Sequence, residues 1–300
     1  MPSDQRSSIL RARPKVIYYF SHRENSVEGN YKNITRAIAK IIIAAICIAA
    51  GFHQRNALAQ LPLLYAATGF ANSFGELYIL NPVDGSVITD VGPLNDSQGN
   101  NYGLTGLRYD PDSGLLFGIT GSSFTAANSL VVVNPSNARV TYIGGPFSSR
   151  LSDIAIDPFT YIMYAVSGSS QYFYTVDKRT GIDTRIGNTN LPPKRGGGLT
   201  ADATGVLYGA NDNGLFTYDK ITGDATPIGD MNLSFYVDAL AFSAAGVLYG
   251  IEGGGSTRAD GSDANNRERW LVVIDTVTGL GVELGATVGN LNALAFVPAP

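Results

Sequence analysis

The sequence is poor in the residues that carry most enzyme chemistry. It contains one cysteine, Cys47, and two histidines, His22 and His53, and all three lie within the first 59 residues. Residues 60–300 therefore contain neither residue type. Their absence excludes a Ser-His-Asp triad, a cysteine nucleophile, a zinc site built from His and Cys, and a disulfide within that segment.

Charge is also scarce, because 15% of the residues are Asp, Glu, Lys or Arg, against about 25% in an average globular domain. Nine of the 21 basic residues and three of the 25 acidic residues fall within residues 1–59. Residues 60–300 keep 12 basic and 22 acidic side chains, a net charge of −10. Nucleic-acid binding needs basic patches, so this balance argues against a nucleic-acid partner.

The first 59 residues have the layout of a secretory signal. A basic stretch at 34–40 precedes the apolar run Ile41–Phe52, and Ala57 and Ala59 supply the small-x-small pattern of a cleavage site. We expect cleavage after Ala59 and a secreted or periplasmic protein. The apolar run is about a dozen residues, short for a permanent span, and an uncleaved N-terminal membrane anchor is the open alternative.

From residue 60 onward, short apolar runs recur with turn residues between them. One kind of run contains the pattern Leu-Tyr-Gly or a variant of it, and another kind ends in Asp or Asn before a turn. The first kind lies at 63–66, 115–118, 161–165, 206–209 and 247–250, and the second at 77–81, 130–134, 173–177, 215–219 and 271–275. Five copies of a strand–turn unit predict a β-propeller.

A further run, which precedes the Leu-Tyr-Gly strand, shows how the ring closes. It occurs at 104–109, 151–156, 198–201 and 237–242, but the copy at Leu63 has none before it. The missing run lies at the other end of the chain, as Leu291–Phe296. We therefore predict one domain, 60–300, a monomeric five-bladed β-propeller of four-stranded antiparallel blades. Its C-terminal strand pairs with the N-terminal blade, which removes the open edge.

The repeat resembles the broad class of secreted propeller proteins that includes NHL and YVTN-type repeats. The order of an Asp-Pro turn, Gly-x-Leu-Tyr-Gly and Asp-x-x-Thr-Gly carries this resemblance, within Leu107–Gly118, Ile154–Ala165, Asp177–Gly187 and Asp219–Gly229. The resemblance implies the fold. It implies no single activity, because the class includes binding scaffolds, lyases and lactonases.

Two sets of recurring residues are predicted to be structural. Asp177, Asp219 and Asp275 each precede x-x-Thr-Gly, and a carboxylate there accepts hydrogen bonds from backbone N–H groups two or three residues on. We interpret these residues as turn caps and not as a catalytic array. The aromatic residue of the Leu-Tyr-Gly strand is predicted to pack between blades.

Binding residues concentrate in loops held on a rigid scaffold. In this fold the loops joining second to third strands and the blade-to-blade connections share one face, called here the loop face, and they vary in length. The candidate ligand-binding residues on it, around the mouth of the axis, are Tyr102, Arg150, Asp153, Arg195, Tyr236, Asp238 and Asn292.

Calcium is a possible ligand at two places, although no cofactor is required. Asp153 and Asp238 could offer carboxylate oxygens at the axis mouth, and calcium takes six to eight oxygen ligands. A loop of the last blade supplies a second candidate metal set that lacks the EF-hand order, and a solvated loop is its alternative reading: Asp260, Asp263, Asn265 and Glu268.

Three functions remain open from the sequence. The first is a non-enzymatic binding propeller whose loop face engages a protein, glycan or envelope ligand. The second is a calcium-assisted hydrolase or lyase centred on Asp153 and Asp238, with a carboxylate as general base. The third is a structural component of a surface layer.

Overall fold

The computed structural model describes residues 61–69, 74–122, 125–168, 170–191, 196–212, 214–253 and 268–299. Twenty strands occupy these residues: β1 Leu63–Thr68, β2 Glu76–Leu80, β3 Val87–Pro93, β4 Leu104–Asp110, β5 Leu115–Thr120, β6 Leu130–Val133, β7 Val140–Gly144, β8 Asp153–Ile156, β9 Met163–Val166, β10 Tyr172–Val176, β11 Asp183–Asn188, β12 Gly198–Ala201, β13 Leu207–Asn211, β14 Gly214–Tyr218, β15 Ala225–Gly229, β16 Val237–Phe242, β17 Leu248–Glu252, β18 Arg269–Ile274, β19 Gly281–Thr287 and β20 Leu291–Val297.

The strands form five antiparallel sheets of four, so the predicted five-bladed propeller is confirmed. Blade I has the order β20-β1-β2-β3, and blades II to V are β4–β7, β8–β11, β12–β15 and β16–β19. The innermost strands pack in sequence, β4 on β8, β8 on β12, β12 on β16 and β16 on β20, and β20 returns to β4. The ring is therefore closed.

Closure uses both ends of the described chain, as predicted. β1 and β20 pair antiparallel, with Leu64 opposite Phe296 and Ala66 opposite Leu294. Blade I has no innermost strand from the residues just before β1, and β20 takes that position. The inner edge of β1 is therefore paired.

The hydrophobic core lies between neighbouring blades. Each innermost strand contributes one fully buried aliphatic side chain at the same position, namely Leu107, Ile154, Leu199, Leu240 and Leu294. The aromatic residues of the second strands are buried as predicted at Tyr65, Phe117, Tyr164 and Tyr249, and Tyr208 is half-buried. Between blades III and IV, Phe173 stacks on Tyr164 at 5.6 Å and on Tyr218 at 5.4 Å between ring centroids.

The turn aspartates have the predicted role. The Asp177 carboxylate accepts hydrogen bonds from the N–H groups of Arg179 and Thr180 at 2.8 and 2.9 Å. Asp219 and Asp275 make the same two bonds one blade later and two blades later. These backbone hydrogen bonds hold the pKa of all three carboxyl groups below its usual value.

Neighbouring blades touch through backbone at the end of the fourth strand, where the repeat has Ile-Gly or Leu-Gly. A Cβ atom on Gly187 would lie 1.8 Å from the carbonyl oxygen of Thr222, in the next blade's Asp-x-x-Thr-Gly turn. Gly144 and Gly229 meet Thr180 and Thr278 in the same way, at 1.9 and 2.1 Å. Only glycine permits this approach. The Ile-Gly or Leu-Gly pair of one blade and the Asp-x-x-Thr-Gly turn of the next blade are therefore the two sides of one contact.

Two lysines fasten adjacent blades. Lys178 of blade III reaches Asp110 of blade II at 2.6 Å, and Lys220 of blade IV reaches Asp157 of blade III at 2.5 Å. Burial alone would raise the pKa of Asp110, but hydrogen bonds from Lys178, from the Ser113 hydroxyl and from backbone hold that pKa below its usual value. Each lysine follows the capping aspartate of its own turn.

We expect Gly187→Ala to destabilise the propeller by about 3 kcal/mol, because a methyl group there overlaps the backbone of the next blade. For a domain of this size that loss lowers the unfolding midpoint by roughly 6–12 °C. Thr184→Ala, at an exposed position of the same strand, is the matched control. Equal midpoints for the two variants, measured by circular dichroism, would show that the blades do not meet at this glycine.

We expect Lys178→Met to destabilise the protein by about 1–3 kcal/mol at pH 7, because it leaves the fully buried Asp110 carboxylate without its ammonium partner. The folded-state pKa of Asp110 is depressed, so its stabilising effect is present above the unfolded pKa and is lost as the pH falls through the folded value. The difference between wild type and variant should therefore shrink below about pH 4. Urea unfolding at pH 7 and pH 3 measures it, with Arg179→Met, at the exposed neighbouring residue, as control.

Candidate functional site

The mouth of the axis on the loop face carries a cluster of charged and amide groups. Arg269, which is 2% exposed, places its Nη2 atom 3.2 Å from Oδ2 of Asp238 and 3.0 Å from Oδ1 of Asn292. Its Nε donates to the carbonyl oxygen of Leu291 at 3.0 Å. The structure therefore brings two predicted site residues, Asp238 and Asn292, together around an arginine that was not predicted.

Burial raises the pKa of Asp238 to about 6, although Arg269 opposes the shift. Asp212 adds a further upward influence and Arg150 a downward one, so both side chains lie close enough to act on this carboxyl group. Asp238 therefore changes its charge near pH 6, although only 14% of its side chain is exposed.

Tyr236 and Glu252 form the wall of the mouth. A Cβ atom on Gly253 would lie 2.6 Å from the Tyr236 ring and 3.0 Å from Nη1 of Arg269, so both side chains pack over this glycine. Glu252 is fully buried and accepts a hydrogen bond from the N–H of Phe235 at 2.8 Å. Tyr236 is half-buried, with part of its surface open on the loop face.

A polar cleft lies beside the mouth, between blades III and IV. Hydroxyl and amide groups line it together with apolar side chains and one aromatic ring: Ser167, Gln171, Thr189, Asn211, Val166, Leu191, Ala210 and Tyr218. Its cavity volume of about 30 Å³ admits a water molecule or two and no cofactor. The exposed Arg150 borders it, because its carbonyl oxygen accepts a hydrogen bond from the Ser167 hydroxyl at 2.8 Å.

Asp153 does not lie at the mouth, which corrects the sequence interpretation. It is fully buried, and its two carboxylate oxygens accept hydrogen bonds from the N–H groups of Ile154 and Leu199 at 2.8 and 2.9 Å. Burial raises its pKa, and the Arg108 guanidinium, 4.0 Å away, opposes that shift. Ser152, not Asp153, aligns in the repeat with Asp238, so Asp153 sits one residue deeper and is sealed from solvent.

Arg108 is the partner of Asp153 and crosses the axis from blade II. Its guanidinium donates to the carbonyl oxygens of Ile154, Leu199 and Leu240 at 3.1, 2.7 and 2.7 Å and to the Thr200 hydroxyl at 3.0 Å. One side chain thus contacts blades III, IV and V.

The repeat contained a signal for Arg108 that the sequence interpretation missed. At the aligned position the other innermost strands carry only small side chains: Ala155, Thr200, Ala241 and Ala295. The side chain of a single arginine in a ring of small residues is too long to fit between its own blade and the neighbouring blade. It can only extend across the axis, which is where the structure places it.

Tyr102 also requires a correction, since its ring is packed in the core with 4% exposure. Its hydroxyl donates to Oδ2 of Asp96 at 2.9 Å. Burial, together with this hydrogen bond, raises the pKa of Tyr102 to about 12. The residue therefore supports the connection between blades I and II and offers no surface to a ligand.

The remaining predicted residues divide by where they fall. Arg195, the candidate calcium ligands Asp260, Asp263 and Asn265, and the signal segment all lie outside the described residues. Glu268 is described and stands beside Arg269 at the start of β18. Within the described ranges, no three His, Cys, Asp or Glu side chains converge as metal ligands would, and no helix has the length and apolarity to cross a membrane.

No protein-family model matches the chain, and neither does any curated protein. Solved structures do resemble it. A chain of the nidogen/laminin complex is 13% identical with a TM-score of 0.49, over 79% of this chain and 98% of its own. A protein of unknown function from Bacteroides thetaiotaomicron is 16% identical with a TM-score of 0.47, over 76% and 58%. Virginiamycin B lyase from Staphylococcus aureus is 13% identical with a TM-score of 0.41, over 77% and 71%. At these values the likenesses assign no activity.

We expect Arg108→Met to destabilise the protein by about 3–5 kcal/mol, because it leaves a buried carboxylate and several buried carbonyl groups without their donor. Arg139→Met, at an exposed arginine of the same blade, should change stability by less than about 0.5 kcal/mol. Chemical unfolding of Arg108→Met, of Asp153→Asn and of the double variant gives the coupling between the pair. Strictly additive losses would mean that Arg108 and Asp153 act independently.

Proposed function

We propose that this protein is a non-enzymatic binding propeller whose loop face takes up a polar ligand, either a glycan or a protein segment. The observation that carries the proposal is the set of polar side chains on the loop face, where the exposed Arg150 and the half-buried Tyr236 and Asp238 lie. Guanidinium, phenol and carboxyl groups on one face match the hydrogen-bonding needs of such ligands, and the small cleft beside them has room only for water.

The calcium-assisted hydrolase or lyase is the weaker candidate. That mechanism needs two accessible carboxylates at the axis, and of the two named residues only Asp238 reaches the loop face. Asp153 is held by two backbone N–H groups beneath the mouth, so it cannot meet a substrate proton. Calcium stays a candidate ligand for the segment that contains Asp260 and Asp263, which unfolding in calcium and in EDTA would test.

The proposal includes export of the protein. The basic stretch, apolar run and Ala57/Ala59 pattern support cleavage after Ala59 and a monomer outside the cytoplasm, with a retained N-terminal anchor as the alternative. N-terminal sequencing of the protein isolated from its native cells distinguishes a chain that begins at Gln60 from one that keeps the apolar run.

The test begins with the full chain on a glycan array and a panel of envelope proteins. We expect Arg150→Ala combined with Asn211→Ala to weaken binding of the captured ligand at least tenfold, since both residues lie on the loop face. Arg139→Ala, at an exposed turn away from the loop face, should leave the affinity unchanged. Undiminished binding by the double variant in titration calorimetry would place the ligand elsewhere on the molecule.

The pH dependence gives a second measurement. The pKa of Asp238 is raised to about 6, so its carboxylate is charged at pH 7 and mostly neutral at pH 5. We expect affinity for a ligand held by this carboxylate to fall as the pH drops from 7 to 5. Asp238→Asn should remove that dependence. A pH profile that is identical for wild type and variant would exclude Asp238 from the contact.

A further inference from the structure

Exposed apolar side chains gather on the face opposite the polar cleft. We call this side the turn face, because it holds the turns that join first to second and third to fourth strands. Eleven of the 15 exposed large hydrophobic residues in the described ranges lie in these turns or at the first residue after them: Val83, Val87, Leu115, Phe159, Tyr161, Ile162, Ile182, Val206, Ile221, Val277 and Leu280. The loop face carries only Phe74 among these 15.

The most exposed of these residues follow the circumference of the ring. Val83, Ile221 and Val277 occupy the same turn position in blades I, IV and V, which are consecutive, and they are 51, 86 and 83% exposed. Phe159 of blade III is 68% exposed, and a Cβ atom on Gly205 of blade IV would lie 3.2 Å from its ring. These four side chains form what we call the apolar arc, from blade III to blade I.

Exposed carboxyl groups stand beside the apolar arc, at Asp84, Asp219 and Asp275. Asp219 and Asp275 precede Ile221 and Val277, but their carboxylates turn back to accept hydrogen bonds from their own turn backbone. Lys220 turns inward to Asp157. The tips of the turns therefore present β-branched aliphatic groups to the solvent, an arrangement that costs free energy in water unless something covers it.

The chain reaches the turn face at blade I, beside the apolar arc. β20 is the innermost strand and ends at Val297 on this face, so the antiparallel β1 starts there, and Leu61 just before it is 70% exposed. The apolar run Ile41–Phe52 stands only eight residues upstream of Leu61 in the sequence. Eight residues span at most about 29 Å. A bilayer that holds Ile41–Phe52 must therefore lie close to the turn face.

We propose that the apolar arc is a docking surface for a lipid bilayer. Phe159, Ile221, Val277 and Val83 enter the interfacial region, and the loop face points away from the membrane with its polar side chains open to ligands. The docking acts while Ile41–Phe52 is attached and persists as weak, reversible adsorption after cleavage, because shallow insertion of a few apolar side chains gives only modest affinity.

The test uses the full chain with Cys47→Ala and one reporter cysteine, bound to phosphatidylcholine vesicles that contain nitroxide-labelled lipid. An environment-sensitive dye at Ile221→Cys reports on the apolar arc. The same dye at Ser234→Cys, an exposed residue of the connection between blades IV and V, is the control on the loop face. We expect at least threefold stronger quenching at position 221 than at position 234.

Docking is distinguished from simple tethering by changing the arc. Val83→Asp combined with Val277→Asp should reduce quenching of the 221 reporter at least twofold, and Thr226→Asp, on an exposed outer strand, should not. Equal quenching at both positions overturns the proposal. A change in the emission of the dye at position 221 in the absence of vesicles also overturns the proposal. If that change depends on protein concentration, the apolar arc binds a second copy of the protein. If Ile43→Asp abolishes the change, the apolar arc binds the segment Ile41–Phe52 of the same chain.

Discussion

A single guanidinium organises the centre of this propeller. Arg108 leaves blade II and donates to groups of blades III, IV and V, while the carboxylate of Asp153 stands 4.0 Å from it. Buried ions are tolerated only when hydrogen bonds and an opposite charge compensate their lost hydration. That demand explains why glycine and alanine surround the pair: a Cβ atom on Gly106 would lie 2.7 Å from the Asp153 carboxylate. The guanidinium and its partners occupy the centre of the ring between blades II, III, IV and V.

Local patterns in the sequence were enough to predict the architecture. The turn caps depend on residues two or three apart, and the blade count and closure depend on repeats that are visible in one dimension. The axial pair was not predicted, because the partners of Arg108 lie 46 to 132 residues away. A repeat pattern does not predict which residues will contact a side chain that departs from the pattern. The departure itself, an arginine among small residues, was visible in the sequence.

The candidate site was predicted in part, for a similar reason. Asp238 and Asn292 were grouped correctly because they occupy the same repeat position. Asp153 was grouped with them although it stands one residue further along its strand, and one residue along a strand turns a side chain to the other face. Tyr102 was assigned to a ligand because it lies in an irregular loop, but its hydroxyl belongs to Asp96 in the same connection.

The two faces of the disc differ in chemistry as a result of how the chain is connected. Short turns need Asp, Asn and Gly at set positions, which leaves the tip residues free to be aliphatic. The long connections on the other side have no such requirement, and together with the strand ends beside them they carry the hydroxyl, amide and charged groups of the mouth and cleft. A ring of repeats therefore has two different sides without any second domain.

The pairing of β1 with β20 has a consequence for the order of synthesis. Blade I receives its innermost strand from residues 291–297, so the ring cannot close until those residues have left the ribosome. Until then the inner edge of β1 stays unpaired and the ring stays open. Blade I, which contains the first strand of the ring, is thus the last blade to be completed.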